Sequence, residues 1–128
     1  MVLADDIITE LGTSWNTGVI AKPTLLAMHD RKEDRRTGFG YVYSGHEAFE
    51  QDVLGNDQFG QSTTPFEIFI VAETEANYDK YKSEVKRIIL AKSVTGGWWE
   101  ISDYPDDDFN RTTKRFNLHV VGQQVKWS

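Results

Sequence analysis

The run from Phe66 to Lys92, FEIFIVAETEANYDKYKSEVKRIILAK, changes its hydrophobic period once, from two to about 3.6 residues, and this constrains the fold more than any other feature. In its first part Phe66, Ile68, Ile70 and Ala72 share one face of an extended chain, and Glu67, Phe69, Val71 and Glu73 share the other. Large apolar groups on both faces predict a central strand, covered on part of each side. In the second part Tyr78, Tyr81, Val85, Ile88 and Ile89 fall on one helical stripe. Lys80, Glu84 and Arg87 lie off that stripe and are expected in solvent. Thr74 or Asn77 can cap the helix by accepting an orphan backbone N–H. A strand that runs into an amphipathic helix needs a sheet to lie on, and the flanking segments can supply one.

Upstream, Ile7, Ile8, Leu11 and Trp15 make a helical stripe over Ala4 to Trp15, with Asp5, Asp6 and Glu10 in the first turns where the dipole favours them. Lys22-Pro23 leads into an extended segment, and Thr24 to His29 reads as a strand. The charged run Asp30 to Arg36 reads as a turn or hairpin tip. Phe39 to Tyr43 is a second strand, whose aromatic face (Phe39, Tyr41, Tyr43) is expected under a helix. Ala48, Phe49, Val53 and Leu54 suggest a short helical piece, and Gln58 to Pro65 looks irregular. So long a connection marks a binding or assembly loop.

Downstream, Thr95-Gly96-Gly97 is a break. Trp98 to Ser102 is a short strand and Tyr104 to Asp108 a polar turn. Lys114 to Val121 alternates, with Phe116, Leu118 and Val120 inward and Arg115, Asn117 and His119 outward. Gly122 marks a bulge or bend, after which Val125 and Trp127 continue the strand. The expected product is one α+β domain over residues 1–128. Its mostly antiparallel sheet of four to five strands carries an N-terminal helix and one main amphipathic helix on one face.

The chain has 128 residues, enough for a real core. It has no cysteine, which excludes disulfides, thiolate metal sites and cysteine nucleophiles. The opening MVLADDIITEL lacks the long apolar core of a signal peptide. No apolar run approaches the roughly 20 residues that span a bilayer. A soluble protein made in the cytosol, with no membrane partner, is expected. Formal net charge is −6, which repels phosphate backbones.

Chemistry-bearing patterns fail on inspection. His29, His46 and His119 have no metal-ligand spacing. Counted from Asp106 as a calcium loop, the glycine position holds Arg111 and the final glutamate position holds Asn117. Ser44-Gly45-His46 has no nucleophile elbow around it. No catalytic residue, cofactor or metal is therefore expected, and the chain does not read as an enzyme. Gly38, Phe39, Gly40, Tyr41 and Val42 resemble the RNP1 strand of RNA recognition motifs, although Thr37 stands where a basic residue belongs and Ser44 where an aromatic belongs. A small nucleic-acid-binding module using this aromatic strand face is the alternative reading.

Contacts between copies of the chain are the other option. Arg31, Lys32, Arg35 and Arg36 form a basic cluster, and Asp103, Asp106, Asp107 and Asp108 an acidic one. Trp98 and Trp99, adjacent in a strand, must point to opposite faces, and Trp127 sits next to the last residue. The candidate oligomer or partner contacts are Arg31, Arg35, Arg36, Trp98, Asp106, Asp107, Asp108 and Trp127, because tryptophan on a surface favours an interface and opposite charges favour head-to-tail contact.

The layout resembles the tail terminator and tail-completion (head–tail connector) proteins of tailed viruses. The matching features are an N-terminal helix, the Lys-Pro-led strand Lys22 to Leu26, and a strand followed by a long loop. Next come the apolar strand that passes through Thr74 into a helix ending Val85-Lys86-Arg87-Ile88-Ile89-Leu90, and the closing strands Trp98–Ser102 and Lys114–Val121. The likeness spans nearly the whole chain and is one of layout. It implies a non-enzymatic virion component of the tail or neck, made in the host cytoplasm, that assembles as a homo-oligomer, commonly a hexameric ring. The implied partners are tail-tube and neck or connector proteins, with the genome passing through without specific binding.

Overall fold

A computed structural model describes residues 3–27, 38–45, 48–51, 60–94, 96–104, 109–110 and 115–127. Helix α1 (Leu3–Ser14) comes first, then strands β1 (Thr24–Ala27), β2 (Phe39–Ser44), β3 (Ala48–Gln51) and β4 (Gly60–Ala72). Helix α2 (Glu75–Ala91) follows, then β5 (Ser93–Val94), β6 (Gly97–Asp103), β7 (Phe109–Asn110) and β8 (Arg115–Trp127). The protein is α+β. The main path through the sheet is β1-β2-β4-β8-β6-β5, and β3 and β7 pair with β4 and β8.

Two strands of 13 residues each form the centre. β4 and β8 are antiparallel from Gln61 opposite Trp127 to Ala72 opposite Phe116. Each outer edge of this ribbon is shared by two shorter strands. On β4, β3 pairs Gly60 to Thr63 and β2 pairs Phe66 to Ile70. On β8, β6 pairs Val121 to Lys126 and β7 pairs Arg115 and Phe116. Pro65 lies in the gap between β2 and β3. Its carbonyl accepts the Gly45 N–H at 2.8 Å on the side where proline lacks a donor, so a central strand tolerates it.

Side-chain alternation places Phe66, Ile68, Ile70 and Ala72 of β4 beside Leu118 and Val120 of β8 and Val42 of β2 on one face. Both helices pack there. α1 contributes Leu3, Ala4, Ile7 and Leu11, and α2 contributes Tyr81, Val85, Ile88 and Ile89, to one continuous core. Thr74 caps α2 by accepting the Asn77 N–H at 3.1 Å. Gly122 stands opposite Phe66, and the fully buried Phe66 ring covers it. The neighbouring pairing shifts register between Ile101 and Asp103, so the bulge expected at Gly122 lies across from it, in β6. Among the described residues no helix is long and apolar enough to cross a membrane.

Several expectations need correction. The sheet has more strands than four or five, because short strands β3, β5 and β7 complete the edges of the long ribbon. β1 and β2 are parallel, Thr24 beside Phe39 and Ala27 beside Val42, so they are not the two arms of a hairpin, and Asp30–Arg36 itself lies outside the described residues. Residues 48–51, expected as helix, are a strand because β4 begins at Gly60 and offers them an edge. For the same reason residues 60–65 are not irregular. The aromatic side of β2 lies away from the helices, and its small side (Gly40, Val42, Ser44) lies beneath them. The Ala4 N–H donates to Ser44 Oγ at 3.3 Å. Glu84 is buried rather than wet. His29, Val53 and Leu54 lie outside the described residues.

Candidate functional site

On the helix-free face β2, β4 and β8 bring Tyr41, Phe69 and His119 into one cross-strand row. Tyr41 and Phe69 lie 5.1 Å apart between ring centroids, and Phe69 and His119 stack at 4.1 Å with 22° between planes. His119 Nε2 is 2.8 Å from Glu67 Oε1. Tyr41 is 8% exposed and His119 5%. Such burial leaves neither ring's face open for stacking on a base. His119 points away from the helices, as the alternation of β8 predicts, yet it is buried on that face. The row is best understood as cross-strand packing, with the carboxylate holding the ring in place.

A second polar cluster ties the helices together. Glu84 accepts the Asn16 N–H at 2.8 Å and receives Arg87 Nε at 3.0 Å and Nη2 at 2.8 Å. The same guanidinium donates to the Ser14 carbonyl at 2.8 Å. The Arg87 hydrogen bonds hold the Glu84 carboxyl below the usual carboxylate range, against the opposing effect of burial. Lys92 bonds Glu10 at 3.0 Å, lowering that carboxyl too. These contacts close the end of α1 onto α2, a structural duty. The i, i+3 spacing of Glu84 and Arg87 was the available signal for it.

A recess between α1 and β1, lined by Ile8, Leu11, Gly12, Trp15, Lys22, Pro23 and Leu25, holds about 80 Å³. Ordinary ligand clefts begin near ~300 Å³. Among the described residues no group of three or more His, Asp or Glu side chains is placed to hold a metal.

Among the described residues the two ends of the sheet are the remaining candidates. β1 forms one end, and Leu26 is 51% exposed on it. At the other, two-residue β5 covers only Gly97 and Trp98 of β6. The outer backbone edge of Trp99 to Asp103 therefore meets no further strand among the described residues. The adjacent tryptophans divide as the alternation requires. Trp99 enters the core at 3% exposure, its indole N–H on Gln124 Oε1 at 2.9 Å. Trp98 points to the helix-free face at 36% exposure, its N–H on Glu100 Oε2 at 3.1 Å. The Trp127 backbone pairs with Gln61 in β8. Arg31, Arg35, Arg36, Asp106, Asp107 and Asp108 lie outside the described residues, as do His29 and His46. No protein-family model and no curated protein matches this sequence.

Proposed function

We propose that this protein is a non-enzymatic structural component of a tailed-virus tail or neck, a tail terminator or head–tail joining protein that assembles into a ring. One observation carries the self-assembly part. Among the described residues the sheet ends in two unlike edges, β1 at one end and, beyond two-residue β5, the outer side of β6 at the other. Open edges invite pairing with another chain. Two unlike edges suit head-to-tail contact, which closes into a ring when the rotation between copies divides a full turn. The virion assignment rests on the layout, since the element order keeps the N-terminal helix, the strand that turns into α2, and a closing pair of strands. Burial of Tyr41 and the net charge of −6 weigh against the nucleic-acid alternative.

Sedimentation velocity and negative-stain microscopy test the reading. A single closed oligomer, or rings formed on added tail tube, is the expected result. A chain that stays strictly monomeric at high concentration and does not bind a tail tube overturns it.

A further inference from the structure

We infer that neighbouring copies join by antiparallel pairing of β1 from one copy with Trp99–Ser102 of β6 from the next. Leu26 then stands opposite Glu100, and the sheet runs unbroken across the seam. The inference rests on the proposed self-assembly and specifies which surfaces meet.

Direction comes from the topology. β1 runs with β2, β2 opposes β4, β4 opposes β8, and β8 opposes β6. β1 and β6 therefore point in opposite senses. If the next copy continues the sheet with its helices on the same side, its β1 meets β6 antiparallel. Length comes from the edges. β1 is four residues long. The available run on β6 lies between β5 at Trp98 and Asp103: Trp99, Glu100 and Ile101 pair regularly with β8, and the bulged Ser102 ends the run. A strand seated there would share the β6 edge with β5, as β2 and β3 already share the edge of β4.

Register comes from side-chain parity. Leu25 and Ile101 are both partly buried and packed against the core, on the helix side of the sheet. Placing Thr24 to Ala27 against Ser102 to Trp99 puts Leu25 opposite Ile101, and a slip of one residue would put it opposite a polar side chain of the other face. The same register brings exposed Leu26 diagonal to Trp98 on the helix-free face, within reach of an aromatic ring. It also sets Asp103 opposite Pro23 and places exposed Lys22 one position further on, where its long side chain can reach the exposed carboxylate. An apolar contact on each face and an opposite-charge pair at one end fit a second copy of this chain.

The chain has no cysteine, so engineered thiols report cleanly. Leu26→Cys and Glu100→Cys are made as separate variants, mixed, and treated with a short thiol-specific cross-linker. The mixture should give a cross-linked dimer that neither variant gives alone, and the chain carrying both changes should give a ladder ending at the closed ring. Lys22→Glu should weaken self-association by up to about fivefold, the scale of an exposed ion pair, and Asp103→Lys added to it should restore the affinity. Cross-linking of Leu26→Cys to itself would mean a two-fold contact and overturns the inference. Oligomers that form with no cross-link in the mixture also overturn it, while leaving the ring reading standing. A protein that remains monomeric sinks both.

Discussion

Gly122→Ala tests how tightly the centre of the sheet is built. A Cβ at residue 122 would run into the Glu100 carbonyl oxygen and lie 2.5 Å from Phe66 Cζ and 2.9 Å from Cε1. Ordinary carbon–carbon contacts are roughly 3.5–4.0 Å, so the ring must move by about 1 Å. Phe66 is fully buried and has little room to move, and the carbonyl belongs to the neighbouring strand. Overpacking of this kind costs about 1–3 kcal/mol, and the reduced freedom of the unfolded chain returns about 0.4–1 kcal/mol. Because the nearest obstacle is a backbone carbonyl, the upper end of that cost applies, and a net loss of about 2 kcal/mol is expected. For a domain of this size that lowers Tm by roughly 6–10 °C.

The control is Gly12→Ala in α1, where a Cβ meets nothing within 4 Å. There alanine should stabilise by about 0.5–1 kcal/mol through helix propensity. Urea melts of the two variants, followed by tryptophan fluorescence, should therefore move in opposite directions. Adding Phe66→Leu to Gly122→Ala should cost less than the sum of the two changes by about 1 kcal/mol if the ring is the obstacle. An unchanged or raised midpoint for Gly122→Ala would refute the packing account.

Thr74→Ala removes the acceptor for the Asn77 N–H and should cost about 1 kcal/mol, seen as a lower urea midpoint with an unchanged slope. Acid should destabilise the fold through Glu84, Glu10 and Glu100. Their carboxyls are held below the ordinary glutamate value of about 4.5 by hydrogen bonds from Arg87, from Lys92, and from Gln123 with Trp98, respectively. Because the folded-state values are the lower ones, this stability is present above about 4.5, the unfolded-state value, and is lost as pH falls through the folded-state values. Glu84→Gln should flatten the acid limb of a plot of urea midpoint against pH, and an unaltered slope would remove Glu84 from that account.

The parts of the fold legible in the sequence are those with a single buried face. The even-numbered residues of β4 and the stripe of α2 repeat at their own periods, and the core receives them as expected. Ile7, Leu11 and Trp15 announced α1 in the same way. The misread segments lack such a signal. Residues 60–65, GQSTTP, are polar and end in proline, yet pairing on both sides holds them extended. Strand direction is not encoded in side-chain alternation, so the parallel pairing of β1 with β2 could not be told from a hairpin. Glu84 has the composition of a wet residue. Only the turn after α1, which brings the Asn16 N–H and the Ser14 carbonyl beside it and Arg87, makes its burial affordable. The candidate edges were legible as strands, but their position at the ends of the sheet depends on long-range order that no local pattern carries.

The β4–β8 ribbon has a mechanical consequence. Its strands are paired over twelve successive positions, from Gln61 with Trp127 to Ala72 with Phe116. At about 3.4 Å per residue that is a bar roughly 40 Å long, comparable to the diameter of the whole domain. Tension pulling the two strands lengthwise in opposite directions loads all the rungs in shear, and they must fail together. Tension prying the ribbon open from one end meets them one at a time. The molecule is therefore stiff along one axis and weak across it, and a load-bearing assembly gains strength by aligning that axis with the pull.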